Sequence, residues 1–159
     1  MPAWTKAGDP SDKVRIGRYH LDTGEWTFVY YPLDPPTSPA GGWVGLSDVT
    51  FLGDESFAVI ERDNQGGPDA SIKRVYTFSL DGVEFKPHSA TPDFEVLVKT
   101  LKTDLIAEGA YAHTGGLIPE KQEGLAVLKD GTALIVNDND GVDDNSGETQ
   151  LLRLEGLFD

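Results

Sequence analysis

Val49-Thr50-Phe51-Leu52-Gly53-Asp54-Glu55-Ser56-Phe57-Ala58-Val59-Ile60 is the stretch that decides the fold. Two short runs rich in β-branched and aromatic residues flank Gly53-Asp54-Glu55, which predicts strand, turn and strand. A shift of 76 residues lays Leu125-Ala126-Val127-Leu128-Lys129-Asp130 on the first six of these positions without a gap. The same shift sets Ala133-Leu134-Ile135-Val136 on Phe57-Ala58-Val59-Ile60, and Leu151-Leu152-Arg153-Leu154 on Val75-Tyr76-Thr77-Phe78. Each copy therefore runs strand, turn, strand, long polar loop, strand. A sheet unit repeated along one chain predicts an all-β, β-propeller-like architecture. The spacing exceeds the roughly 40 to 50 residues of common blades, and the long loops account for the excess.

Outward from this unit, residues 14–19 alternate in polarity, Leu21-Asp22-Thr23-Gly24-Glu25 forms a turn, and residues 26–31 are aromatic and β-branched. They predict a hairpin. Pro32, Pro35, Pro36 and Pro39 make residues 32–42 an irregular surface connection. Residues 73–80 predict a strand, Asp81-Gly82 a hairpin turn, and residues 83–85 the strand after it. Residues 95–101 are compatible with a strand, and Leu101, Leu105 and Ile106 with a short helix. Two strands, then four, then three amount to about two to two and a half blades, where closed propellers have more. The expected organisation is one segment over 1–159. Residues 14–31 form the hairpin of a preceding blade, 45–106 the first repeat and 121–157 the second. An open arc exposes sheet edges and an apolar face, so the expected complement is a missing N-terminal half or self-association.

Composition narrows the function classes. The net charge of −14 has no basic stripe to offset it, which argues against nucleic acid and anionic membrane as partners. No apolar run has membrane-spanning length, and the opening Met1-Pro2-Ala3-Trp4-Thr5-Lys6 carries no signal-peptide core. The absence of cysteine removes disulfides, thiolate metal sites and Cys nucleophiles. An acidic chain that handles phosphate must recruit a cation or gather its few Lys and Arg in one place. Calcium suits the first route, because hard oxygen ligands are in excess here.

Two polar loops occupy equivalent places in the repeats. The first is Glu61-Arg62-Asp63-Asn64-Gln65-Gly66-Gly67-Pro68-Asp69-Ala70-Ser71, followed closely by Lys73 and Arg74. The second is Asn137-Asp138-Asn139-Asp140-Gly141-Val142-Asp143-Asp144-Asn145-Ser146-Gly147-Glu148. Counted from Asn137, Glu148 falls on the twelfth place of an EF-hand loop, but Gly141 and Val142 stand where a ligand and a glycine are needed. A calcium site of other geometry is compatible with Glu123, Asp138, Asp140 and Glu148, with Asp63 from the first loop; the same residues also serve as plain turn formers. Closing the hairpin at Lys129-Asp130-Gly131 puts Glu123 beside residues 137–139, and the same geometry puts Ser47 and Asp48 near Glu61 and Arg62. Arg62, Lys73 and Arg74 are the one concentration of cations; they suit a phosphate clamp or pairing with Glu61, Asp63 and Asp69. His20, His88 and His113 fall in unrelated contexts, and there is no nucleophile elbow, P-loop or H-E-x-x-H.

Five blocks in fixed order resemble the esterase-like phytase family. They are Val59-Ile60-Glu61-Arg62-Asp63-Asn64, Ala70 with Lys73-Arg74-Val75-Tyr76, Gln122-Glu123-Gly124-Leu125-Ala126, Val136-Asn137-Asp138-Asn139-Asp140, and Glu148-Thr149-Gln150-Leu151-Leu152-Arg153-Leu154. The resemblance runs from about Gly45 to the C-terminus. It implies a β-propeller-like fold, an extracellular or periplasmic full-length protein, and phosphomonoester hydrolysis, with the opening half of the family domain absent here. Two functions are expected. In the first, Ca²⁺ held by Glu123, Asp138 and Asp140, with Asp63, assists hydrolysis of a small phosphorylated molecule. Glu123 and Asp138 are catalytic there, and Arg62, Lys73, Arg74, Asn64 and Asn139 bind substrate. In the second, the chain is a non-catalytic propeller module with calcium-stiffened loops that binds a ligand or a protein.

Overall fold

The computed structural model describes residues 1–139 and 148–159. Ten strands form three antiparallel sheets, and no α-helix occurs among the described residues. The first sheet has the order β1 (Lys13–His20), β2 (Glu25–Pro32), β6 (Lys86–Pro87). The second, middle sheet is β3 (Val44–Gly53), β4 (Ser56–Asp63), β5 (Lys73–Ser79), β7 (Lys99–Asp104). The third is β8 (Gln122–Val127), β9 (Ala133–Asn137), β10 (Leu151–Leu154).

The middle sheet is packed on both faces, and the alternation of β4 shows why. Ala58 and Ile60 join Val75 in a core with Leu125, Ala133, Ile135 and Leu152 of the third sheet. Val59, between them, points the other way and joins Tyr76 and Phe78 against Val14, Val29 and Tyr31 of the first sheet. Losing Ile60 to alanine at such a site costs about 2–5 kcal/mol.

The repeat holds to the residue. Leu46 faces Glu61 and Val49 faces Val59, with a bulge at Ser47-Asp48. In the third sheet Gln122 faces Asn137 and Leu125 faces Ile135, with a bulge at Glu123-Gly124. Each of these pairs is its counterpart moved by 76 residues. The edge strands β3 and β8 lie side by side. Asp48 Oδ2 accepts the Leu125 N–H at 2.7 Å, and Thr50 Oγ1 donates to the Leu125 carbonyl at 2.6 Å.

Three expectations change. Leu80 and Val83 close the turn at Asp81-Gly82, yet residues 83–85 form no strand on β5. The chain crosses instead to the first sheet, where Lys86–Pro87 pairs with Phe28 and Thr27. Pro87 has no N–H to offer, which suits a two-residue edge strand. The fourth strand of the middle sheet is β7, which starts at Lys99 and not at residue 95. Residues 105–111 are turns, not a helix. The strand count is therefore three, four and three.

Candidate functional site

The hairpin turns and most of the long connections lie at opposite ends of the strands; the long connection 88–98 is the exception and joins strand ends on the hairpin-turn side. The tight turns at Gly24, Asp54-Glu55 and Gly131 lie at one end of the strands. The long connections 33–43, 64–72 and 105–121 lie at the other, with the described residues that flank β9 and β10 there, 138–139 and 148–150. Loops carried on a rigid scaffold are where binding and catalysis concentrate.

Arg62 is the centre of this rim. Its guanidinium, nearly buried, donates from Nε to Ser47 Oγ at 2.9 Å and from Nη2 to Glu123 Oε1 at 2.5 Å. It also donates to the Asp63 carbonyl and lies over the Trp43 ring at 5.5 Å. Ser47 and Glu123 are repeat equivalents, each in the bulge of its own unit, so one arginine ties the two bulges together. Bulges re-aim side chains at sheet rims, as here. The Glu123 side chain stays 41% exposed, which makes it the solvent-facing end of the pair.

Beside it lies a closed lock. Lys73 Nζ is 0% exposed and donates to Asp63 Oδ1 at 2.8 Å and to the carbonyls of Asp63, Gln65 and Glu120 at 2.8–3.1 Å. The other Asp63 oxygen accepts from the backbone of Ser71 and Ile72. Burial raises the Asp63 carboxyl, but Lys73 outweighs it and the result is a lowered pKa. Burial pulls the Lys73 ammonium down to about 8 in spite of Asp63. The ammonium thus sits in an all-oxygen cage that joins the first loop to the segment before β8.

Arg74 does not join this group, although it follows Lys73 directly. Successive strand residues face opposite ways, and Arg74 turns toward the first sheet. It pairs there with Asp34 at 2.5 Å and Asp104 at 2.7 Å. Lys99 bridges Asp34 and buried Glu61, and Tyr76 donates to Asp34. Burial pushes the Asp34 carboxyl up, yet Lys99, Tyr76 and Arg74 hold it at about 2. Glu61 goes the other way, its burial outweighing Lys99.

The remaining predicted residues are distributed along the rim. Asn64 ties the proline-rich connection down: its Oδ1 accepts the Trp43 N–H at 2.7 Å, and it leaves no room for a Cβ on Gly42, which has φ +102°. Asp138 is exposed, and its N–H donates to the Lys121 carbonyl. Asn139 Nδ2 reaches Thr149 Oγ1 at 3.5 Å. Glu148 is exposed, and its carbonyl accepts from Asn137 Nδ2. Asp140 lies outside the described residues. Among the described residues no three His, Cys, Asp or Glu side chains stand together as a metal cage. Asp63 fits a cation poorly, because both its oxygens are taken by protein donors. Glu123, Asp138 and Glu148 are the hard-oxygen carboxylates that face outward.

Asp34, Lys99, Asp104 and Tyr111 lie at this rim without a sequence signal, and Gln122 and Gln150 are marked only by the blocks they belong to. Gln122, Asn137 and Gln150 form one cross-strand row of buried amides on the inner face of the third sheet. The Tyr111 hydroxyl, both polar atoms of the Gln122 amide and Gln150 Oε1 are buried and reach no well-formed hydrogen bond among the described residues, the Tyr111 hydroxyl lying beside the Gln122 amide.

A three-sheet, all-β protein with a charged rim is the class these observations define. The chain matches the phytase-like family model, described as esterase-like activity of phytase, over residues 2–141. It belongs to that family. The matched span takes in the first hairpin, which the sequence resemblance did not reach, and stops before the block at Glu148. No curated protein and no solved structure matches the chain.

Proposed function

We propose that this protein is a phytase-like phosphomonoester hydrolase, that its three sheets are successive blades of a propeller-like arrangement, and that its chemistry lies at the Arg62–Glu123 rim. The observation that supports this most is the single buried arginine shared by two equivalent bulges, with a half-exposed carboxylate beside it. Three of the five guanidinium N–H groups are used by Ser47, Asp63 and Glu123, and the rest are left to hold a phosphoryl oxygen. Ser47 fixes the plane of the fork. Glu123 and Asp138 would orient the attacking water, and Asn139 would bind substrate at the rim. Calcium, held by Glu123, Asp138, Glu148 and Asp140, would supply Lewis-acid polarisation of the phosphoryl oxygens when bound. Asp63 would join that set only by releasing Lys73.

The test uses the whole chain and a phosphomonoester such as p-nitrophenyl phosphate. Turnover is expected to vanish with a calcium chelator and return with Ca²⁺. A rate indifferent to chelation eliminates the metal-assisted mechanism.

The pairing of Arg62, Lys73 and Arg74 within the protein supports a second reading, a ligand- or protein-binding module whose loops calcium stiffens. It predicts a higher melting temperature with Ca²⁺ and no phosphomonoester turnover.

A further inference from the structure

We propose that the cleft beside Trp43 takes the flat apolar ring of an aromatic phosphomonoester, with Trp43 setting this preference and Asn64 as its positioning residue. The proposal rests on the hydrolase reading for the phosphate, which it leaves at Arg62. The cleft itself stands apart from that reading.

The long-connection rim carries a cleft of about 630 Å³, within the range of small-molecule sites. One wall comes from segments 2–5 and 11–12, the other from the proline-rich connection and the start of β3. The lining is mainly apolar, with Pro2, Leu33, Pro35, Pro36 and Trp43. The Leu33 N–H donates to the Asp12 carbonyl at 2.8 Å and joins the two walls. Proline offers apolar surface at a fixed φ with no N–H to satisfy, so these walls are stiff.

Charge decides what such a cleft accepts. Among the described residues no Lys or Arg lines it, and its two ionisable groups, Asp12 and Asp34, are carboxylates. Both are already paired, Asp34 with Arg74, Lys99 and the Tyr76 hydroxyl, and Asp12 with Lys13. Nothing here holds an anion, and no carboxylate is left over to hold a cation. An uncharged apolar group is the part of a ligand that loses least by leaving water for these walls.

Trp43 joins the cleft to the arginine. It lines the cleft, and the Arg62 guanidinium lies over its ring at 5.5 Å. The apolar site and the phosphate fork thus share one side chain. A ligand that fills both must carry its ring and its phosphate close together, as an aryl phosphate does, and an indole favours a flat ring by offset stacking. Asn64 holds this platform at both backbone groups of Trp43. Its Oδ1 accepts the Trp43 N–H at 2.7 Å, and its own N–H donates to the Trp43 carbonyl at 3.1 Å. Gly42, at φ +102° with Asn64 Oδ1 where a Cβ would stand, fixes the approach of the chain to the indole.

Calorimetric titration of the whole chain with 1-naphthyl phosphate, 1-naphthol and glycerol 2-phosphate, without calcium, tests the cleft before any turnover. Both naphthyl compounds are expected to bind, and 1-naphthyl phosphate to bind about tenfold or more tightly than glycerol 2-phosphate. Trp43→Ala should erase that preference, and Trp43→Phe, which keeps a ring, should retain most of it. Asn64→Ala should reduce it, and Asn64→Asp, which keeps the acceptor for the Trp43 N–H, should restore it. Trp26→Ala removes an exposed indole on the first sheet and should change nothing. Failure of 1-naphthol to bind overturns the proposal, and so does a preference that survives Trp43→Ala. Binding of 1-naphthyl phosphate with no turnover once Ca²⁺ is added leaves the cleft standing and fails the hydrolase reading alone.

Discussion

The rims of the middle and third sheets share a backbone and differ in chemistry. Glu61, Arg62, Asp63, Lys73 and Arg74 in the first repeat correspond to Asn137, Asp138, Asn139, Thr149 and Gln150 in the second. Register and bulge are common to both. The first rim is closed by buried ion pairs, whereas the second is built from amides, with outward carboxylates at Glu123, Asp138 and Glu148. One scaffold thus carries a rim locked by ion pairs and, among the described residues, a rim of amides. The ion pairs of the first rim are buried, whereas the carboxylates described at the second are exposed.

The largest test of this contrast is to break the lock. Lys73→Met strands Asp63 as a buried charge, and truncating one partner of a buried pair costs about 3–5 kcal/mol. Thr149→Met, at the equivalent exposed position, should stay within about 0.5 kcal/mol. Urea unfolding of both variants measures the difference. Equal losses would mean that the two rims carry load alike.

Acid titration separates the rims next. The Asp34 pKa is depressed from 3.8 to about 2 in the folded chain. Its stabilisation is therefore fully present above pH 3.8 and is lost as the pH falls through that interval toward 2. The shift corresponds to about 2 kcal/mol. Glu61 is raised, so its linkage has the opposite sign: stability falls as pH rises from 4.5 toward its higher folded value. Asp34→Asn should flatten the acid limb of unfolding free energy against pH. A limb that survives the substitution places the acid-sensitive group elsewhere.

A smaller effect compares two tyrosines on the two sides of the middle sheet. Tyr76 donates to Asp34, while the buried Tyr111 hydroxyl has only the neutral Gln122 amide beside it among the described residues and no well-formed hydrogen bond. Tyr76→Phe should cost about 1.5–3 kcal/mol, the range for a hydrogen bond to a charged group. Tyr111→Phe should cost under about 1 kcal/mol, because it removes a polar atom that gains little where it is. A large loss at Tyr111 would show that its hydroxyl is satisfied after all.

The fold was legible because the repeat is a pattern of apolar residues, and apolar residues report burial directly. The closing of β8 on β9 followed from the position of one turn, but it sets Gln122 opposite Asn137, while Glu123 falls in the bulge and its side chain meets Arg62. The bulges were not legible, since an extra residue in a strand leaves no mark in period-two alternation. Val83-Glu84-Phe85 misled for a related reason: a good turn at Asp81-Gly82 says where the chain reverses and not which sheet receives it. The charged groups were harder still. Lys73 and Arg74 look alike in sequence, and only their opposite faces send one into a cage and the other toward Asp34. Asp34 sits among prolines with no signal at all, because its partners come from β5 and β7, far along the chain.

The finest test concerns the salt bridge that joins the two units among the described residues, Arg62 with Glu123. Arg62 is nearly buried but Glu123 is 41% exposed, so water screens the pair from the carboxylate end, and its coupling should be about 1 kcal/mol. A double-mutant cycle of Arg62→Gln and Glu123→Gln isolates it from the bonds Arg62 makes to Ser47 and Asp63. The cycle should weaken further in high salt, because one end of the pair meets solvent, whereas the buried Lys73 cage should not respond. Coupling of that size, beside a large kinetic loss in either single variant, would mean that the two units are joined here for chemistry more than for stability. Coupling of several kcal/mol would instead make the pair a second lock, and the contrast between the rims would disappear.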